Sequence, residues 1–104
     1  MRLNPYHPER FWSHLGRACF VARRYGEAID ALKCITQPDA GQHALLAACH
    51  AALGHGAEAA SHRAAALALD PGLAIDAHLG TLHYWQASDR EHHRESLVKA
   101  GFPA

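Results

Sequence analysis

The chain has 104 residues, with ten Lys and Arg balanced by ten Asp and Glu, ten His, and a formal net charge of zero. That length suits one small domain with a modest core, and twenty-two Ala against seven Val, Ile and Thr favour helix throughout. No run of like charge exceeds Arg23-Arg24, which argues against a nucleic-acid or anionic-membrane surface.

Other classes recede for equally local reasons. The longest uncharged stretch, 40–57, carries Gly41, Gly54, Gly56, His43, His50 and His55, so it does not read as a bilayer span. The opening Met1-Arg2-Leu3-Asn4-Pro5 lacks the apolar core of a signal peptide. Cys19, Cys34 and Cys49 are odd in number and lack a close pairing spacing, as expected of reduced thiols. A soluble cytoplasmic domain is the expectation.

In chain order, Asn4-Pro5-Tyr6-His7-Pro8 reads as an extended lead-in, with Pro8 placed to open a helix. Helices are predicted near 8–22 and 25–36, broken around Arg23 to Gly26, with Pro38-Asp39-Ala40-Gly41 as the next boundary. Trp12, Leu15-Gly16 and Tyr25-Gly26-Glu27-Ala28-Ile29 form a packing code, in which Gly16 and Ala28 are expected to face each other across the hairpin. A second hairpin is predicted from helices near 42–53 and 57–69 about the turn Gly54-His55-Gly56, closed by Asp70-Pro71-Gly72. Residues 73–86 are apolar on two faces, which predicts a helix sandwiched between neighbours. Ser88-Asp89-Arg90-Glu91 reads as a capping box, with Ser88 as N-cap of a mostly charged last helix. That helix has a narrow stripe of His93, Leu97 and Ala100 and stops at Gly101-Phe102-Pro103.

The positions Trp12, Leu15-Gly16, Tyr25, Ala28 and the closing Pro71 resemble the tetratricopeptide repeat, a helix–turn–helix unit of about 34 residues. Glu58-Ala59 repeats Glu27-Ala28 at an interval of 31 residues, which places a shortening near 36–42. The resemblance implies an all-α solenoid of three antiparallel hairpins, about six helices, as one domain over 1–104 with repeats near 8–39, 40–72 and 73–101. The whole chain, through Arg2-Leu3-Asn4-Pro5, Ala22-Arg23-Arg24-Tyr25, 43–48 and the tail 89–103, also resembles the tetratricopeptide region following the catalytic domain in bacterial class III adenylate/guanylate cyclase-like proteins. No pair of metal-binding aspartates in a strand context accompanies it.

Ten histidines raise the question of a metal. Ligands sharing a helix face need a spacing of three or four, and His14, His50, His78 and His83 have no partner there. Glu58 with His62, Asp89 with His92 and His93, and His92 with Glu95 do have the spacing. The group at 89–95 sits in the first turns of a capped helix, where acidic residues complement the dipole, and reads as a solvated helix start. The cysteines lie in predicted helices on apolar faces, and Cys49 and His50 point about 100° apart. No glycine-rich phosphate loop follows a strand. The expectation is no catalytic residue, no metal and no cofactor.

A binding groove is what remains. The resemblance implies that the first helix of each hairpin lines it, through Arg10, Ser13 and Arg17, then Ala44, Ala48 and Ala51, then His78, Leu82 and Trp85. Leu82 and Trp85 read equally as core against the last helix. Ala44 and Ala48 give Arg17 no second polar partner for the clamp that holds acidic C-terminal peptides in some members of that family, and the small apolar floor of the middle hairpin suits the apolar face of a partner helix. The leading expectation is therefore a protein-interaction module for a protein or peptide, without nucleic acid or membrane. The second is a regulatory or dimerisation segment of a cyclase system, with a possible homodimer, and the third a metal or thiol enzyme.

Overall fold

The computed structural model describes residues 9–79 and 87–102, and among these the regular structure is helical, with no strand. The elements are α1 (Glu9–Val21), α2 (Tyr25–Leu32), α3 (Ala40–Ala52), α4 (Gly56–Leu69), α5 (Ile75–Leu79) and α6 (Ala87–Ala100).

Trp12, Gly16 and Phe20 recur every four residues, which sets them on one stripe of α1, and all three are buried. The helix ends in a Schellman turn: Arg24 N–H bonds Cys19 C=O at 2.8 Å and Arg23 N–H bonds Phe20 C=O at 3.0 Å. Arg23 takes the left-handed position at φ 63°, where glycine is usual. α2 then packs back on α1 through Ala28, Ile29, Ala31 and Leu32. The side chain nearest Gly16 is that of Leu32, for which the missing Cβ makes room. A Cβ at Gly16 would stand 2.7 Å from Leu32 Cγ.

α2 stops at Leu32, short of the expected 36, because the chain tightens into i→i+3 bonds from Cys34 to Ala31 and from Ile35 to Leu32. Pro38 then pushes Gln37 away from helical geometry. Asp39 starts α3 as an N-cap. Its carboxylate accepts from the Gln42 N–H at 2.8 Å, and Gln42 Oε1 accepts from the Asp39 N–H at 2.8 Å. This reciprocal box sets the start at Ala40, two residues earlier than expected.

Of the helix predicted over 73–86, α5 is described and 80–86 lie outside the described residues; α3 is itself enclosed by its neighbours. Every residue from Ala44 to Ala51 is buried, because α2, α4 and α6 pack around it. The short turn after α3 sends α4 back antiparallel, with Gly54 at φ 79° closing another Schellman turn.

The end of the chain departs most from expectation. α6 begins at Ala87, so Ser88 lies inside its first turn and is not its N-cap. A third hairpin extending the stack would not reach the first, yet α6 packs chiefly on α3 and also touches α1, α4 and α5. Its stripe of His93, Ser96, Leu97 and Ala100 is buried. Phe20 stacks on His92 with centroids 4.7 Å apart and meets His93 edge-on at 5.0 Å. Tyr25 Oη lies 2.6 Å from His92 Nε2, and Arg23 pairs with Asp89 at 3.5 Å. At the other end Arg63 donates to the Ala100 carbonyl at 3.1 Å. A radius of gyration of 12.6 Å matches the ~13 Å of a closed 100-residue globule.

Candidate functional site

The folding-back of α6 leaves a polar cleft of about 190 Å³ lined by Ser13, Arg17, Asp39, Gln42, His78 and His93. α1 supplies Ser13 and Arg17, one turn apart, and the capping box of α3 supplies Asp39 and Gln42. α5 supplies His78, whose ring lies close against the first turn of α3: a Cβ at Gly41 would stand 3.2 Å from its Cε1. α6 closes the back with His93, which is 2% exposed and edge-on to His78 with centroids 6.0 Å apart.

The charges in this cleft are unequal in freedom. Burial, followed by the neighbouring imidazole of His78 and the Arg17 guanidinium, pushes His93 down to about 3. Burial and then Arg17 also lower His78. Both rings are therefore favoured in the neutral form by desolvation and by a nearby cation. Asp39 is engaged as the cap of α3. Among the described residues, no carboxylate lies within ion-pair distance of Arg17. A planar donor fork of this kind takes one carboxylate in two parallel hydrogen bonds.

Three of the nine residues expected to line a groove thus meet here: Ser13, Arg17 and His78, one helix each from α1 and α5 beside the start of α3. Ala44, Ala48 and Ala51 do not form an open floor. They are 1%, 0% and 6% exposed and belong to the chain's own core. The reason is α6, which packs over α3; Leu97 and Phe102 share a narrow apolar gap with Ala44. Small residues on α3 do receive a helix, and it is an internal one. Arg10 lies on α1, but its side chain, together with Leu82 and Trp85, falls outside the described residues.

The cluster on α6 is divided among separate contacts. Asp89 pairs with Arg23, His92 with Tyr25, and His93 turns into the core. What helix spacing missed is a set formed across a hairpin. His43 and His62 approach through their Nδ1 atoms at 3.2 Å, and so do His50 and His55. Equal sequence distance from the α3–α4 turn was the signal available for these pairs. Among the described residues no group of three or more His, Cys, Asp or Glu converges as a metal site.

Cys49 is buried, and burial pushes its thiol up to about 12. Cys34 follows α2 in a turn, outside the helix expected for it, and contacts the Asp30 carbonyl at 3.6 Å. Among the described residues no helix is long and apolar enough to cross a membrane. No family model matches the chain, and neither the curated proteins nor the solved structures give a match.

Proposed function

We propose that this chain is a non-catalytic interaction module of tetratricopeptide-like hairpins that takes an acidic side chain of a partner protein in the cleft at Arg17. The observation that carries the reading is the convergence of Ser13, Arg17 and His78, from the leading helices α1 and α5, on one cleft beside the capped start of α3. Leading helices supply the binding surface in the repeat family that the sequence resembles. The preference for an acidic group replaces the apolar-helix preference expected from sequence, because α6 covers the alanines of α3 while Arg17 stays available. One guanidinium supports one carboxylate, so a single Asp or Glu within the partner is the anchor. A role beside a nucleotide cyclase rests on the sequence resemblance alone.

Selection of displayed peptides on the folded chain, run in parallel on Arg17→Gln, tests this reading. The expected outcome is a set of peptides sharing an Asp or Glu that is enriched on the wild type and lost on the variant. Selection of nothing, or of the same peptides on both chains, would contradict it.

A further inference from the structure

Four histidines that play no part in the cleft form a continuous file along the α3–α4 hairpin. His43 and His50 are seven residues apart on α3, and His55 and His62 are seven apart from the N-cap of α4 onward. Seven residues are nearly two whole helical turns, so each pair occupies one stripe. Both cross-hairpin pairs are symmetric about the Ala52–Leu53 peptide, so antiparallel packing sets His43 beside His62 and His50 beside His55. The Nδ1 atoms of each pair are 3.2 Å apart. His50 and His62 stack between the pairs, with centroids 5.4 Å apart and planes within 7°.

Such a separation has a specific chemical meaning. Two imidazole nitrogens bound to tetrahedral Zn²⁺ at ~2.0–2.1 Å stand roughly 3.3–3.4 Å from each other. The two Nδ1 pairs are therefore already within a few tenths of an ångström of a metal bite. In the metal-free protein one nitrogen of each pair carries the proton that the other accepts. A neutral ring can move that proton to Nε2, which leaves both Nδ1 lone pairs for an ion without net proton loss.

We propose that His43 with His62, and His50 with His55, chelate a borderline divalent cation, Zn²⁺ by the tetrahedral bite. Each pair supplies two nitrogens and water completes the shell, in keeping with the absence of any converging group of three ligands among the described residues. That makes the sites exchangeable. Both tie α3 to the connection or helix that follows it, so the bound ion stabilises the hairpin by mass action. The other charges felt at the file are Glu58, which favours a cation at His50, and Lys33, which opposes one at His50 and His62.

The test is calorimetric titration of ZnCl₂ into the reduced full chain near neutral pH, paired with thermal melts. His55→Gln with His62→Gln removes one nitrogen from each pair and leaves the buried His50 in place. His14→Gln, at an exposed position on α1, serves as the control. The expected result is saturable binding with a rise in melting temperature for the wild type and the control, and at least a tenfold loss of affinity with no rise for the double variant. Absence of saturable binding by the wild type, or equal binding by the folded double variant, would overturn the proposal. The cysteines are unchanged in all three chains, so binding through them would appear as the second of these outcomes.

Discussion

Acidification should loosen this domain through His93, and the size of the effect can be worked from its surroundings. The ring sits between Phe20 and His78 at the back of a cleft that also holds Arg17. It is 2% exposed, and its pKa falls from 6.5 to about 3. The folded protein therefore keeps His93 neutral where the unfolded chain would protonate it. Its contribution is fully present above the unfolded value of 6.5 and is lost progressively as pH falls from there toward about 3. Between pH 6.5 and ~5 the loss is on the order of 2 kcal/mol, at about 1.4 kcal/mol per pH unit. For a domain near 100 residues that is a fall of roughly 8 °C in melting temperature. His50, His62, His78 and His92 are also lowered by burial and add to the fall with the same sign. Melts followed by circular dichroism at ~pH 7.5 and ~pH 5, on the wild type and on His93→Gln, separate the terms. The wild type should lose the larger increment and the variant a smaller one. An unchanged wild-type melting temperature, or an identical drop in the variant, would refute the buried-neutral assignment.

Three further outcomes follow from packing and capping. Gly16→Ala drives a Cβ into the buried Leu32 side chain at 2.7 Å, so chemical denaturation should show a loss of ~1–3 kcal/mol; a neutral result would mean Leu32 can turn aside. Asp39→Ala removes the reciprocal cap of α3 and should cost ~0.5–2 kcal/mol, with Asp39→Asn losing less in the same titration. Cys49, with its thiol buried and its pKa pushed up to about 12, should resist alkylation in the native protein and react on unfolding, as mass mapping of labelled peptides would show.

Local chemistry made much of the helical frame legible. The Trp12–Gly16 spacing, breaks close to the expected Arg23 to Gly26 and Gly54-His55-Gly56, and the α6 stripe of His93, Leu97 and Ala100 all follow from residue type at short range. Asp39 and Gln42 carried a readable capping signature, but Pro38 and Gly41 around them also read as a turn. The histidine pairs needed hairpin register added to helix periodicity, because their partners are separated by a turn. The docking of α6 was not legible at all. It depends on Phe20 and Tyr25 meeting His92 across 67 residues or more, and no pattern within either segment specifies the other. Burial of Ala44, Ala48 and Ala51 follows from that docking, so their exposure could not be judged from α3 alone.

Anchoring of a partner's carboxylate by Arg17 is measured by a double-mutant cycle. The best displayed peptide and its Asp→Asn or Glu→Gln version would each be titrated by fluorescence anisotropy against the wild type and Arg17→Gln. Removal of the carboxylate should weaken binding to the wild type by about tenfold or more, in line with the ~1.5–3 kcal/mol of a hydrogen bond to a charged group, and leave binding to Arg17→Gln unchanged. An equal loss on both chains would show that the carboxylate is read somewhere other than this cleft.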